Sequence, residues 1–209
     1  MQTQILEQLS VMRVTRLHQH ESAISDRMSI SSLTGRLVEF CGRQSTTNLI
    51  PICTLIMEAQ RIQEPVAWIA QSKTIFFPPD MAANGVDLKA LPVVWAPNGK
   101  AAMRAADHLI RSGAFGLIVL DLDANIHFDQ GILGRLVRLS DKHGTALICI
   151  TSSAAQKYSL GSMVSLRGET RLQRIAPTLF HCEVHITKDK KRGPGWKYWE
   201  ACFGPDGLC

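Results

Sequence analysis

The fold is decided by residues 35–50, which read GRLVEFCGRQSTTNLI. The apolar run over residues 36–41 predicts a buried strand, and the small polar residues after Gly42 predict a loop. A helix is predicted over residues 48–61, where Pro51 falls in the first turn and is therefore tolerated. The stretch is thus strand, loop and helix.

The loop after Gly42 has the outline of a phosphate-binding loop, G-x-x-x-x-G-K-[ST]. In such loops backbone amides at a helix N-terminus hold phosphate oxygens, the Lys neutralises them and the hydroxyl binds magnesium. Counting from Gly42, these three positions hold Thr47, Asn48 and Leu49. Thr47 has a Cβ, Asn48 has no charge and Leu49 offers magnesium no ligand. We therefore expect no bound nucleotide or other cofactor.

The amides of the loop still need hydrogen-bond partners at the start of the helix. Ser45, Thr46 or Thr47 is expected to cap it, so that side chains or water occupy the phosphate position.

Length and composition indicate one α/β core. The chain has 209 residues, is 45% hydrophobic and carries a formal net charge of +5. It shows no basic-then-apolar leader and no apolar run of membrane length, so we expect a cytoplasmic protein without a membrane partner. Its six cysteines have no CxxC spacing, which favours reduced, buried thiols.

The order of elements predicts a mainly parallel sheet covered on both faces. Residues 1–34 are expected to form an N-terminal helical arm and linker, and residues 35–209 the core. Strands are predicted at 65–70, 91–95, 116–121 and 145–151, alternating with helices that start at Pro78 and cover 99–112 and 130–142. Beyond Thr151, strand-like stretches at 163–166, 179–186 and 196–203, with a basic turn at 188–195, predict an antiparallel addition at the sheet edge.

Asp121 ends the most apolar of these strands. An acid after four apolar residues has the form of the second nucleotide-binding element, in which the carboxylate orients magnesium. By itself this signal is weak, since many buried strands end in an Asp. Its value comes from its position relative to the loop at 42–49.

The ordered series of segments resembles the RecA recombinase family. The resemblance rests on residues 35–42, 70–72, 85–87, 111–121, 147–150, 165–167, 183–190 and 202–207. It covers about residues 35–207 and implies a RecA-like core: a mainly parallel twisted sheet flanked by helices, antiparallel C-terminal strands, and no separate C-terminal domain.

The same resemblance implies lost catalytic groups. The family's catalytic glutamate falls near Ser72, and its γ-phosphate-sensing glutamine near Ser152 or Ser153. A hydroxymethyl group cannot act as the general base. With the changes in the loop, only Asp121 remains, so we expect a protein that is not an enzyme. The stretches in place of the family's DNA loops, 123–129 and 152–160, are short, so filament-type DNA binding is not expected.

The basic turn contains Lys188, Lys190, Lys191 and Arg192, and Lys197 follows it. Lysines that resemble the first two reach a nucleotide on the neighbouring subunit in RecA, a role that lapses without a nucleotide. Two interpretations stay open: a solvated hairpin turn, or a contact with an acidic partner or with the phosphate backbone of DNA.

Two other chemistries find little support. His181, Glu183 and His185 would share one face of a strand, but no second ligand cluster accompanies them, so no metal site is expected. Neither a Ser nor a Cys lies in a nucleophile elbow, which argues against covalent catalysis.

Among RecA-like proteins without a nucleotide site, the chain resembles the ImuA family of accessory proteins. That resemblance implies a role in error-prone translesion synthesis after DNA damage, with an ImuB-like polymerase-related hub and RecA as partners and with DNA only as a weak contact. A SulA-like inhibitor of cell division that binds FtsZ, and a weak nucleotide-binding regulator, remain as alternatives. An oligomer is also compatible with the N-terminal arm.

Overall fold

The computed structural model describes residues 28–42, 45–71, 76–121, 129–151, 160–175 and 179–203. These residues form one sheet of eight strands. The strands are β1 (Leu37–Gly42), β2 (Val66–Ala70), β3 (Val93–Trp95), β4 (Leu117–Asp121), β5 (Ala146–Thr151), β6 (Leu166–Arg174), β7 (Leu179–Asp189) and β8 (Lys197–Phe203). The predicted N-terminal arm at 1–27 lies outside the described residues.

Five α-helices accompany the sheet in the described part of the chain. They are α1 (Ile30–Leu33), α2 (Leu49–Arg61), α3 (Pro78–Ala83), α4 (Gly99–Ser112) and α5 (Gln130–His143). Short 3-10 helices at Ser45–Asn48 and Leu88–Ala90 complete the helical part.

The strand order is β3-β2-β4-β5-β1-β6-β7-β8. Every pair from β3 to β6 is parallel, whereas β6, β7 and β8 pair antiparallel. The predicted parallel sheet with an antiparallel C-terminal addition is therefore confirmed. Strands β3 and β8 form the two edges.

Successive side chains of a strand point to opposite faces, and two apolar cores result. One core packs α1 and α2 against Val38, Phe40, Trp68 and Val119. The other packs α4 and α5 against Leu37, Ile69, Ile118 and Leu147. The central strands are buried on both faces, which is why their sequences are continuous apolar runs.

The helix ends follow ordinary capping chemistry. The Asp129 side chain accepts hydrogen bonds from the backbone N–H groups of Gly131 and Ile132, at 2.7 and 3.2 Å, at the start of α5. Gly144 ends this helix with a φ of 68°, a left-handed conformation that favours glycine. These local signals explain why the predicted and observed bounds of α5 nearly coincide.

Two segments differ from the expectation. Strand β6 runs from Leu166 to Arg174, so the strand predicted at 163–166 was placed too early. Its inward positions hold Leu166, Gly168 and Thr170, and two of these three are not apolar. A Cβ on Gly168 would lie 3.1 Å from ring atoms of Phe40 and 3.2 Å from Val184, so close packing requires glycine and weakens the hydropathy pattern.

The predicted linker before β1 is partly helical and belongs to the core. Met28, Ile30 and Leu33 are buried in the α2-side core. Ser29 and Ser32 form a capping box, and the Ile30 N–H donates to Glu58 on α2 at 3.2 Å. Residues 28–34 therefore pack against α2 and belong to the α2-side core.

The four cysteines whose side chains the structure describes, Cys41, Cys53, Cys149 and Cys182, are buried and not disulfide-bonded, as predicted. In the described part of the chain, no helix is both long and apolar enough to cross a membrane.

Candidate functional site: the loop between β1 and α2

The loop begins at Gly42, the last residue of β1. Residues 43 and 44 lie outside the described part; the 3-10 helix Ser45–Asn48 then runs directly into α2. Thr47, Asn48 and Leu49, which hold the second-Gly, Lys and hydroxyl positions of the pattern, are 5%, 0% and 7% exposed. All three side chains are thus part of the protein interior.

A hydrogen-bonded chain of side chains joins this turn to β6. The Thr170 hydroxyl donates to Asn48 Oδ1 at 2.7 Å, and the Thr47 and Thr170 hydroxyl oxygens are also 2.7 Å apart. Since Thr170 has one hydroxyl proton, which goes to Asn48, Thr47 must donate to Thr170. We call this set, Thr47, Thr170 and Asn48, the polar triad. Strand pairing places Thr170 there because it lies opposite Gly42 in the β1–β6 register.

The polar triad changes the expectation about helix capping. The residue immediately before α2 is Asn48, which has helical backbone angles and makes no side-chain cap hydrogen bond. The Thr47 hydroxyl lies against Thr170, and the Ser45 and Thr46 side chains lie outside the described residues. At the residue before α2 the structure therefore shows no side-chain N-cap, and capping by Ser45 or Thr46 stays a prediction.

Asp121 ends β4 at the carboxyl edge of the parallel strands and is 2% exposed. It shares a sheet face with Leu117 and Val119, which pack in the core with α2. The acid therefore lies on the same side of the sheet as the loop that leads into α2, which is the relation that the sequence suggested. Ser72, Ser152 and Ser153 lie outside the described residues, so their predicted positions stay predictions.

The residues of the predicted basic turn belong to two elements in the structure, strand β7 and the turn that follows it. Strand β7 extends to Asp189, so Lys188 lies in the strand and the turn begins at Lys190. Lys188 Nζ donates to the backbone oxygens of Gly161 and Ser162 at 3.2 and 3.3 Å. Burial lowers the pKa of Lys188, and the charge of Lys190 acts in the same direction. Lys188 therefore contributes to the fold as well as to the surface charge.

The other basic residues have different surroundings. Lys190 and Lys191 are exposed, and the Arg192 guanidinium lies 4.3 Å from the centre of the Trp196 ring. Lys197 forms an ion pair with Glu183 at 3.0 Å. The predicted set therefore does not act as one uniform patch.

Asp189, the acid beside the turn, is bound from inside the protein. Arg36 donates to its Oδ1 at 2.6 Å and the Lys191 N–H at 2.9 Å. Burial alone would raise the pKa of Asp189, but the hydrogen bonds from Lys191 and Arg36 outweigh burial and lower it. Asp189 is consequently a buried anion that fixes the base of the turn.

Sequence reasoning also missed the buried charge of Glu39 in the middle of β1. Its side chain is fully buried and accepts from the Thr151 hydroxyl at 3.0 Å and the Leu160 N–H at 3.3 Å. Arg167 Nε lies 3.7 Å from its Oε2. Glu39 points to the sheet face opposite the polar triad, because Val38 and Phe40 face α2. The sequence signal that could have identified Glu39 is an acidic residue inside a predicted apolar strand.

His181, Glu183 and His185 do share one face of β7, since Cys182, Val184 and Ile186 between and after them belong to the α2-side core. Glu183 is engaged by Lys197. Within the described ranges, no group of three or more His, Cys, Asp or Glu side chains is arranged to hold a metal ion.

A strand, loop and helix at the carboxyl edge of a parallel sheet, with a buried acid on the same side, define an α/β protein built like those that bind phosphate at this edge. The family described as the RecA N-terminal domain matches residues 6–165, and the chain belongs to that family. The RecA-like α/β fold expected from the sequence is therefore confirmed.

Curated relatives are similar over a shorter stretch. The protein RecA of Nocardioides sp. is 41% identical over 88 residues, which are 42% of this chain and 25% of the relative. RecA of Picosynechococcus sp. is 37% identical over 87 residues, again 42% and 25%. RecA of Haemophilus ducreyi is 34% identical over 87 residues, 42% of this chain and 23% of the relative. The matched part of the chain spans about a quarter of the length of these relatives.

Proposed function

We propose that this protein is a RecA-like accessory protein that does not hydrolyse ATP and acts through protein contacts during translesion DNA synthesis after DNA damage. Its proposed partners are an ImuB-like polymerase-related hub and RecA. The observation that carries the proposal is the polar triad, because it uses the Lys position of the phosphate loop as a buried structural residue.

A phosphate loop works when its Lys and backbone amides face an open cradle. Here Asn48 is 0% exposed and its side-chain oxygen is hydrogen-bonded to Thr170 on β6. Turning Asn48 toward a phosphate would leave the Thr170 hydroxyl without this partner, and an unmade buried hydrogen bond costs about 1–3 kcal/mol. Asn48 also brings no charge to repay that cost. Both facts favour a non-catalytic protein.

A protein partner needs an accessible contact surface, and the β3 edge of the sheet offers one. Trp95 on this edge strand is 62% exposed, and Phe77 is 54% exposed. Phe76, between the core and this surface, lies edge-on to the Trp95 ring at 6.4 Å between centroids. Exposed aromatic side chains beside an unpaired strand edge are typical anchors of protein interfaces.

The test is capture of purified candidate partners by the immobilised full chain, after nuclease treatment. We expect the ImuB-like hub or RecA to be retained, and Trp95→Ala to weaken retention at least about tenfold, as for an interface hot spot. Trp199→Ala is the matched control, since Trp199 is 47% exposed on the other edge strand. Retention of FtsZ instead of both candidates would overturn the proposal in favour of a cell-division inhibitor.

Calorimetry with ATP and magnesium tests the catalytic half of the proposal separately. We expect no heat of binding and no turnover above a buffer blank. Measurable binding by the unaltered chain that disappears in Asp121→Asn would refute the non-catalytic interpretation and favour a nucleotide-binding regulator.

A further inference from the structure

The turn between β7 and β8 presents three consecutive cations, Lys190, Lys191 and Arg192, whose side chains are all exposed. Because β7 ends at Asp189 and β8 begins at Lys197, the basic turn, predicted at 188–195, comprises residues 190–196, and the name refers to these residues from here on. The acid next to it, Asp189, has a side chain only 1% exposed and is paired with Arg36 at 2.6 Å. Its charge is compensated from inside the protein, so it does not offset the three cations at the surface.

The backbone of the basic turn is held at several points. The Lys190 N–H donates to the Ser165 carbonyl at 2.9 Å, and the Gly193 N–H to the Asp189 carbonyl at 3.0 Å. The Gly195 N–H donates to the Ile186 carbonyl at 2.8 Å. Beyond these bonds the tip is open, because a Cβ on Gly193 or Gly195 would meet nothing within 4 Å. The turn is thus preorganised, which reduces the entropy lost when a ligand binds.

An aromatic ring supports the third cation. The Arg192 guanidinium lies 4.3 Å from the Trp196 ring centre, and Trp196 stacks on Tyr198 at 6.2 Å between centroids. Trp196 packs against the α2-side core, so Arg192 rests on a side chain that is itself anchored. A guanidinium held over an aromatic face keeps its positive charge, so Arg192 contributes to the charge of the turn.

We propose that the basic turn binds the phosphodiester backbone of nucleic acid. The chemistry favours phosphate over an acidic protein segment, because two of the three cations are exposed lysines, a residue type depleted in protein interfaces. Phosphate contacts need positive charge at the right spacing rather than an apolar centre, and Lys and Arg side chains provide them. The formal net charge of +5 adds a favourable long-range field.

The number of cations fixes the expected salt dependence. Three phosphates neutralised by three side chains give a slope of log K against log salt of about −2 for a single strand and about −2.7 for a duplex. These values apply to the contribution of the basic turn alone. The quantity to measure is therefore the decrease in this slope when the three charges are removed.

The experiment is fluorescence anisotropy of a labelled oligothymidine and of a matched duplex, with the full chain, between about 50 and 200 mM salt. The test variant is Lys190→Gln/Lys191→Gln/Arg192→Gln. The control, Lys89→Gln/Lys100→Gln/Arg104→Gln, removes the same three charges from exposed positions near the opposite edge of the sheet. We expect the test variant to reduce the slope by about 2 units with oligothymidine, and the control to leave it nearly unchanged.

A second variant keeps the test decisive if loss of the Arg192–Trp196 contact disturbs the fold. Lys190→Gln/Lys191→Gln leaves that contact in place and should reduce the slope by about 1.4 units with the single strand. Equal slopes for the test variants and the unaltered chain would overturn the proposal. Tighter binding to polyglutamate than to either nucleic acid would also overturn it and identify an acidic protein segment as the ligand.

The proposal is independent of the proposed partner contact, because the Trp95 experiment uses the β3 edge and nuclease-treated samples. If the unaltered chain captures its partner but does not bind nucleic acid, or binds it with a slope that the test variants leave unchanged, only the inference about the basic turn is refuted. The reverse pattern would refute only the proposed function.

Discussion

Replacing Thr170 with Val should destabilise the protein strongly although it changes one buried hydroxyl to a methyl group of similar size. The hydroxyl connects Thr47 to Asn48 through two hydrogen bonds of 2.7 Å. The three residues are 3%, 5% and 0% exposed, in the order Thr170, Thr47 and Asn48, so water does not readily replace the lost partner.

The magnitude follows from the groups left behind. Asn48 Oδ1 would lose its donor and the Thr47 hydroxyl its acceptor, at about 1–3 kcal/mol for each buried group. Val is as compatible with a strand as Thr, so backbone propensity offsets little of this loss. We expect the free energy of unfolding to fall by about 2–4 kcal/mol and the melting temperature by roughly 4–16 °C for a domain of this size.

Urea denaturation followed by far-UV circular dichroism measures this change. Thr187→Val is the control, since the Thr187 hydroxyl makes a longer bond of 3.4 Å to the Arg167 carbonyl in a half-buried place. It should cost less than about 0.5 kcal/mol. The double variant Thr47→Val/Thr170→Val should cost at least about 0.5 kcal/mol less than the sum of the single changes, because both members of one pair are removed together. Additive costs, or a Thr170→Val cost as small as that of Thr187→Val, would refute the reasoning.

Three further results are expected. Arg36→Met should lower the unfolding free energy at neutral pH by about 3–5 kcal/mol, because it leaves Asp189 charged and unpaired. The pKa of Asp189 is lowered in the native state, so the stabilising contribution of its charge is present above about pH 4 and is lost as the pH falls through the native pKa. In urea titrations, the effect of Arg36→Met should therefore become smaller as the pH falls below about 4. Gly168→Ala should cost about 1–3 kcal/mol in the same assay by overpacking against Phe40 and Val184, and a cost clearly below about 1 kcal/mol would contradict the packing argument. Gly193→Ala, with a φ of 81° and open space around it, should cost only the backbone strain of about 1–2 kcal/mol. Finally, Cys41, Cys53, Cys149 and Cys182 are buried, and burial raises the pKa of Cys53 to about 12, so mass spectrometry after iodoacetamide treatment at about pH 8 should find these four cysteines unmodified until urea unfolds the chain.

Much of the fold could be predicted from local sequence. The bounds of α4 were predicted without error, and those of β4, β5 and α5 within one residue. These elements have strong signals: uninterrupted apolar runs for strands buried on both faces, and an Asp cap and a C-terminal Gly for α5. Strand β6 was placed too early in the sequence because the apolar alternation breaks at Gly168 and Thr170. Glycine is required there by Phe40, a residue 128 positions earlier, and local pattern contains no trace of that contact.

The candidate site could likewise be predicted only in part from the sequence. The unusual residues at the phosphate-loop positions and Asp121 could be identified by counting along the chain. The structure then brought together residues that counting cannot relate: Thr170 and Asn48 are 122 positions apart, and Arg36 and Asp189 are 153 apart. Lys188 illustrates the opposite error, since the sequence groups it with the turn whereas the structure ties it to the 161–162 carbonyls.

Three properties could be predicted from the sequence: the strand, loop and helix of residues 35–50, the alternation of strands and helices along the chain, and the lack of Gly, Lys and a hydroxyl at the three key positions of the loop. These properties are local, because they depend on side-chain type and period along a short segment. Two contacts became visible only in the tertiary structure: the hydrogen bond between Asn48 and Thr170, and the ion pair in which Arg36 compensates the charge of Asp189 beside the basic turn. Both arrangements depend on the register of strands distant in the chain, which brings buried polar groups within hydrogen-bond distance and makes their pairing obligatory.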